Sequence, residues 1–361
     1  MTVLRNLRPI QYLLVFLPIA VLAELLHWGD IFIFVAAALA IVPIAGLLGD
    51  ATEALAAKTG PQVGGLLNAS LGNAAELIIA LVAINAGKIE LVKASLIGSI
   101  LGNLAFVLGL SILLGGLKHG TQRFNRSRVG IDATMAILAA IAISVPSIFN
   151  AAIEPDKLRV ENLSLATAVV VLVLYGLSIL YTLRTRNADD AEHGAGAAHT
   201  PHDGPRWKTR TALVVMVVAV VGLAVMSELL VGTLDTVTAT LGWTEFFVGI
   251  IIVPIIGNVA EHLVAVQMAR KNKMDLSLSI ALGSSLQIAL FVAPVMVFLS
   301  LFMGHPMTLE FNNFELIAMI AASIVAAFVS LDGESNWLEG AMLLAVYGIL
   351  ALAFFFLPGA L

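Results

Sequence analysis

The sequence predicts an all-α integral membrane protein of eleven transmembrane helices, one N-terminal helix followed by two inverted five-helix repeats. Three observations predict it. Of 361 residues, 60% are hydrophobic and only 12% are charged, whereas soluble domains carry about a quarter charged residues. The apolar residues gather into eleven long runs separated by short polar breaks. A segment of mixed polar and apolar residues also recurs 185 positions downstream. A net charge of −5 and the absence of cysteine exclude a nucleic-acid binder and a secreted disulfide scaffold. No small-residue cleavage site follows the first apolar run, so a removable signal peptide is not expected.

The expected spans are 10–27, 31–57, 61–87, 91–117, 129–149, 163–183, 211–231, 243–269, 276–303, 314–331 and 337–356. Several exceed the ~20 residues of a straight span, which predicts tilted or interrupted helices. Transmembrane barrel strands would alternate in polarity, and these runs do not. Of the 19 Lys and Arg residues, 15 fall on one face, including Arg5, Arg123, Arg184, Arg210 and Lys273. The other face holds only Lys88, Lys93, Lys157 and Arg159. The excess places the N-terminus and the central linker in the cytoplasm and the C-terminus outside. The lack of organellar targeting features favours a bacterial plasma membrane, with a vacuolar membrane as the alternative. The expected divisions are an N-terminal helix at 1–30, a first repeat at 31–183, a cytoplasmic linker at 184–210 and a second repeat at 211–361.

The repeat is read from residues that chance seldom aligns. Gly72-Asn73-Ala74-Ala75-Glu76 reappears as Gly257-Asn258-Val259-Ala260-Glu261, and the same offset carries Lys88 onto Lys273, Gly98-Ser99 onto Gly283-Ser284 and Phe106-Val107 onto Phe291-Val292. Five spans separate the copies. Because five is odd, the second copy enters the membrane from the opposite side, the architecture of many secondary transporters.

Each copy reads as a helical hairpin turning at Lys88 or Lys273. Glu76 and Glu261 lie 12 residues before that turn, a depth of ~18 Å against ~15 Å for half the hydrocarbon. Both acids are therefore expected near the bilayer centre. Ser99 and Asn103 fall at the depth of Glu76, and Ser284 and Gln287 at that of Glu261, while Asn73 and Asn258 precede the acids by three residues on the same helical face. One such acid could be a hydrogen-bonded structural residue. Two equivalent acids with matched amides and hydroxyls favour a hard-cation site instead. With no cysteine and little histidine, a dedicated zinc or copper site is disfavoured. Two carboxylates in hydrocarbon must be neutralised by a divalent cation or by protons, so the two compete for one place. Coupled exchange requires nothing more, with at least two protons per divalent ion.

The segments GNAAELIIA with GSILGN, and GNVAEHLVA with GSSLQIALFVAP, resemble the paired signatures of the cation/proton exchangers, the Ca2+/H+ antiporter branch of the calcium/cation antiporter superfamily. The resemblance covers nearly the whole chain. It implies Ca2+ exchanged against H+, with Glu76 and Glu261 as central ligands and proton carriers, and Asn73, Asn258, Ser99, Ser284 and Gln287 as polar partners. The Gly-Thr-Ser-x-Pro-Glu signature of sodium/calcium exchangers is absent. The linker departs from the strongly acidic one of many family members, holding only Asp189, Asp190, Glu192 and Asp203 among three histidines. Monovalent Na+/H+ or K+/H+ antiport remains an alternative, and a cation channel another. No nucleophile–base or metal–histidine constellation within the spans points to an enzyme, and no cofactor is expected beyond the transported ions. Expected partners are the lipid bilayer, Ca2+ and protons; a homo-oligomer is compatible with the sequence, and nucleic acid is not expected.

Asp50 and Glu53 near the cytoplasmic end of span 31–57, and Glu228 near the outer end of the equivalent span 211–231, are either ion entrances on opposite sides of the membrane or interfacial charges. His262 either tunes Glu261 or is a satisfied core histidine; adjacent helix positions point apart, which favours the second. Stretch 187–205 reads as a flexible linker with a metal- or pH-sensing alternative carried by His193, His199 and His202, and Pro254 as a kink ahead of Glu261.

Overall fold

Long apolar runs leave the backbone no partner in lipid but itself, and the chain accordingly folds as helices. The computed structural model describes residues 9–59, 63–64, 67, 70–152, 157–193 and 207–357. A 3₁₀ turn over Pro9–Val15 leads into α1 (Phe16–Leu25). There follow α2 (Asp30–Ala56), α3 (Ala74–Asn85), α4 (Ile89–His119), α5 (Arg126–Ala152) and α6 (Lys157–His193). The second half comprises α7 (Thr209–Gly232), the short α8 (Leu234–Leu241), α9 (Glu245–Arg270), α10 (Met274–Phe302), α11 (Asn313–Val329) and α12 (Trp337–Phe356).

Among the described residues, eight helices are long and apolar enough to cross a membrane: α2, α4, α5, α6, α7, α9, α10 and α12. Shorter apolar helices at Ile10–Leu25, Ala74–Asn85 and Asn313–Val329 occupy the three other expected runs. The protein is a multi-pass membrane protein. The valines of α6 and α7 that face outward, among them Val170, Val173, Val217 and Val218, present the apolar surface that lipid requires.

The linker expectation needs correction. Helix α6 continues to His193, so positions 187–193 are helical rather than flexible. His199 and His202 lie outside the described residues. Glu339, in the first turn of α12, forms a capping box with Asn336, as Glu315 does with Asn312 on α11.

Packing partners exchange under the 185-residue offset. Helix α3 packs on α7 and α9 on α2; α12 packs on α4 and α6 on α10; α2 pairs with α7 and α5 with α11. At the end of the α2–α7 pair, the Lys58 ammonium donates to the Trp207 carbonyl. Glycines allow the closest approaches. A Cβ on Gly98 of α4 would stand 2.0 Å from the Ile250 carbonyl oxygen of α9, and one on Gly340 of α12 would stand 2.2 Å from the Leu113 nitrogen of α4.

Three π-helical turns interrupt the ladders at Gly102–Val107, Val248–Ile252 and Ile288–Val292. The first and third occupy equivalent positions under the offset. The second ends directly before Val253 and Pro254, so the proline sits at a restarted helical turn and its missing N–H interrupts no regular ladder.

Candidate cation site

Both signature segments carry Gly-Asn-x-Ala-Glu, yet they fold differently. In the first, the helix breaks at Gly72 and Asn73, and α3 restarts with Glu76 in its opening turn. The exposed N–H groups of that terminus favour negative charge at Glu76. In the second, α9 runs unbroken through Gly257 and Asn258, leaving Glu261 in mid-helix.

The acids nevertheless lie near each other. A Cβ on Gly257 would stand 3.6 Å from Ile79 Cδ1 and 4.0 Å from Glu76 Cγ, so the Glu76 stem lies against α9. Gly257 and Glu261 are one turn apart on one face of α9, and the two carboxylates are near enough for their charges to interact. The Ser284 hydroxyl faces the Glu261 carboxylate. Among the described residues, no lysine or arginine acts on either acid.

Around the acids, the polar residues bond across the two halves. Asn258 Nδ2 donates to Ser99 Oγ at 3.1 Å and to the Pro254 carbonyl at 3.1 Å. The Ser284 hydroxyl donates to Asn73 Oδ1 at 3.4 Å. Under the offset these are one pairing made twice, Asn73 with Ser284 and Asn258 with Ser99. Asn103 Nδ2 also donates to Ser284 Oγ at 3.0 Å, and Asn73 Nδ2 donates to Gln287 Oε1. Asn73, Ser99, Asn103, Asn258 and Ser284 are buried, whereas Glu76, Glu261 and Gln287 are partly buried. Beside Glu76, a cavity of about 10 Å³, lined also by Ser95, Ser99, Pro254 and Gly257, is near the minimum for one water.

Two buried oxygens in this layer have no hydrogen-bond partner among the described residues, Glu261 Oε2 and Asn258 Oδ1. Each is an acceptor, so a cation or a proton would complete them. Among the described residues, no group of three or more His, Asp or Glu could hold a metal unaided. Any cation held here takes two carboxylates with amide and hydroxyl oxygens, the donor set of a hard ion.

Of the remaining candidates, Asp50 and Glu53 stand in the last two turns of α2, and Glu228 is exposed near the end of α7. Both Asp50 and Glu53 have interaction partners of their own. His262 is buried with its ring 6.2 Å from that of Phe106, in an aromatic cluster that continues to Tyr347; its Nε2 has no hydrogen-bond partner among the described residues, so it is not the satisfied core histidine expected. Sequence reasoning missed a second charged cluster. Lys88 Nζ reaches Asp235 Oδ1 at 2.6 Å and Glu245 Oε2 at 3.2 Å, joining the α3–α4 turn to the starts of α8 and α9. The signal available was that Lys88 and Asp235 both recur under the offset, as Lys273 and Asp50.

Comparison with known proteins agrees with the signature segments. The family model described as sodium/calcium exchanger protein matches residues 30–184 and 211–356. A Ca2+/H+ antiporter of Aphanothece halophytica is 44% identical over 357 residues, covering 96% of each chain. The Ca2+/H+ antiporter ChaA of Bacillus subtilis is 42% identical over 342 residues, covering 94% of this chain and 96% of its own. Among solved structures, native YfkE matches with a TM-score of 0.81 at 39% identity, covering 94% of this chain and 97% of that one. The H+/Ca2+ exchanger CAX, at 16% identity, shares the fold with a TM-score of 0.72, over 96% of this chain and 91% of its own. The chain belongs to the sodium/calcium exchanger protein family.

Proposed function

We propose that this protein exchanges Ca2+ for H+ across a membrane by alternating access, with Glu76 and Glu261 holding the cation or protons but not both. The observation that carries the proposal is the pair of orphaned acceptors, Glu261 Oε2 and Asn258 Oδ1, beside Glu76 and without a basic neighbour among the described residues. Two carboxylates in a low-dielectric layer cannot both stay charged and unpaired. A divalent ion satisfies both at once, and so do two protons. Asn73, Ser99, Asn103, Asn258, Ser284 and Gln287 would complete or orient the coordination. The relatives named as Ca2+/H+ antiporters, at 42–45% identity over nearly the whole chain, support Ca2+ as the divalent ion.

The exchange of packing partners under the offset supports an inverted repeat of five helices in each half, with eleven spans in all. Alternate opening would then come from α2 and α7, tied to each other, rocking against α3, α4, α9 and α10. The lysine and arginine bias supports a cytoplasmic N-terminus and an outer C-terminus. Asp50, Glu53 and Glu228 would attract cations at the two mouths.

The test is ion uptake into sealed proteoliposomes under an imposed pH gradient, comparing Ca2+, Na+ and K+. Ca2+ should accumulate against the proton gradient, and Glu76→Gln or Glu261→Gln should each abolish uptake while the purified protein stays monodisperse. Ca2+ flux indifferent to the gradient would overturn the exchange; preferential Na+ or K+ flux would overturn the choice of ion.

A further inference from the structure

Lys88 stands at the turn between α3 and α4, within the part of the fold that holds the acids. Asp235 stands in the first turn of α8, separated from α7 by Thr233 alone. Their 2.6 Å contact therefore fastens the α2–α7 pair to the site-bearing helices at one face of the membrane. Glu245, 3.2 Å from the same ammonium, adds the start of α9.

The 185-residue offset carries Lys88 onto Lys273 and Asp235 onto Asp50. Lys273 occupies the equivalent turn between α9 and α10, and Asp50 lies near the end of α2, so on the inverted-repeat reading the same two chemical groups recur at the opposite face with their parts exchanged. In this structure the first pair is closed. Lys273 is exposed and makes no ion pair among the described residues.

We infer that Lys88–Asp235 and Lys273–Asp50 are alternating latches, one closed in each facing state of the transporter. The inference rests on the alternating-access reading above. A pair of helices that rocks as a unit cannot approach the same rigid neighbours at both ends together, so closing one latch opens the other. The two latches are unequal. Glu245 gives the first a second carboxylate, whereas Gly60 stands at the equivalent position of the other. The state seen here is thereby favoured. Asp235 is 78% exposed, so the bias is modest, about fivefold in population.

The test uses the full-length chain in proteoliposomes; it has no native cysteine, so every introduced thiol is unambiguous. Lys88→Cys, Asp235→Cys, Asp50→Cys and Lys273→Cys are combined in one chain and treated with a short bis-methanethiosulfonate, which joins two thiols through reducible disulfides and releases methanesulfinate. Each molecule should carry one crosslink or the other, never both. In the two-cysteine variants each crosslink should stop Ca2+ flux until reductant is added. Molecules bearing both crosslinks, or flux untouched by the crosslink between positions 88 and 235, would overturn the inference. Should the four-cysteine chain misfold, Lys88→Gln combined with Asp50→Cys and Lys273→Cys serves instead. The crosslink between 50 and 273 should then form about fivefold more readily than with Lys88 intact, and an unchanged yield would overturn the inference. Failure of the exchange reading looks different: flux would persist in Glu76→Gln and Glu261→Gln while the crosslinks still excluded one another.

Discussion

Gly98→Ala probes the contact on which the geometry of the site depends. The added methyl group would meet the Ile250 carbonyl oxygen at 2.0 Å and Pro254 Cγ at 2.7 Å, where ordinary contact begins at 3.4 Å. Helices α4 and α9 must therefore part by about 1.4 Å at this level. Ser99 is the next residue on α4, and Asn258 lies one turn beyond Pro254 on α9, so their 3.1 Å hydrogen bond would open past its limit. Overpacking costs about 1–3 kcal/mol, and a broken buried hydrogen bond about 1 more. Thermal unfolding of the detergent-solubilised protein should fall by several degrees, and Ca2+ uptake at subsaturating Ca2+ should drop at least tenfold. Gly176→Ala on lipid-facing α6, where a Cβ meets nothing within 4 Å among the described residues, is the control and should leave both unchanged. If Gly98→Ala matches that control in stability and flux, α4 and α9 do not touch as described and the reasoning fails.

Ser99→Ala removes the partner of Asn258 without adding bulk; it should raise the Ca2+ concentration for half-maximal uptake about fivefold, read from initial rates, and lower stability by about 1 kcal/mol, less than Gly98→Ala does. Gly340→Ala sets a methyl group 2.2 Å from the Leu113 nitrogen, far from the acids, and should lower stability by about 1–3 kcal/mol with the half-saturating Ca2+ concentration unchanged in the folded fraction. Asn312→Ala removes the capping box of α11 and should cost about 1 kcal/mol in thermal unfolding alone. The carboxylates of Asp235 and Glu245 raise the pKa of Lys88 above its ordinary 10.5. Since the folded value is the higher one, the contribution is complete below 10.5 and is lost only as pH rises past it. The distance between spin labels flanking Lys88 and Asp235 should accordingly hold constant from pH 7 to 9.

The polar layer was legible because a glutamate, an asparagine or a serine inside an apolar run stands out, and a fixed offset marks which of them belong together. That Asn73 meets Ser284 and Asn258 meets Ser99 follows from such a pattern folded back on itself. Two features were not legible. Gly-Asn-x-Ala-Glu occurs twice, but only the copy at Gly72 and Asn73 breaks its helix, so surroundings rather than local preference decide the backbone there. The π turns are a second case, since an extra residue in a helical turn leaves the apolar pattern almost unchanged. The convergence of Lys88 with Asp235 and Glu245 was not legible for another reason: charges at helix ends look solvated until the fold brings three of them together. The continuation of α6 to His193 was hidden by Ala, Asp and Glu residues that suit a polar helix as well as a linker.

The crossed pairing of Asn73 with Ser284 and of Asn258 with Ser99 has an evolutionary reading. Neither half carries a finished binding place; each lends its amide to the other's hydroxyl. On the inverted-repeat reading proposed above, a single-copy ancestor would have needed two molecules set head to foot in the same membrane to make these pairings. Severed halves of the present chain, made together in one cell, should still find each other and recover transport.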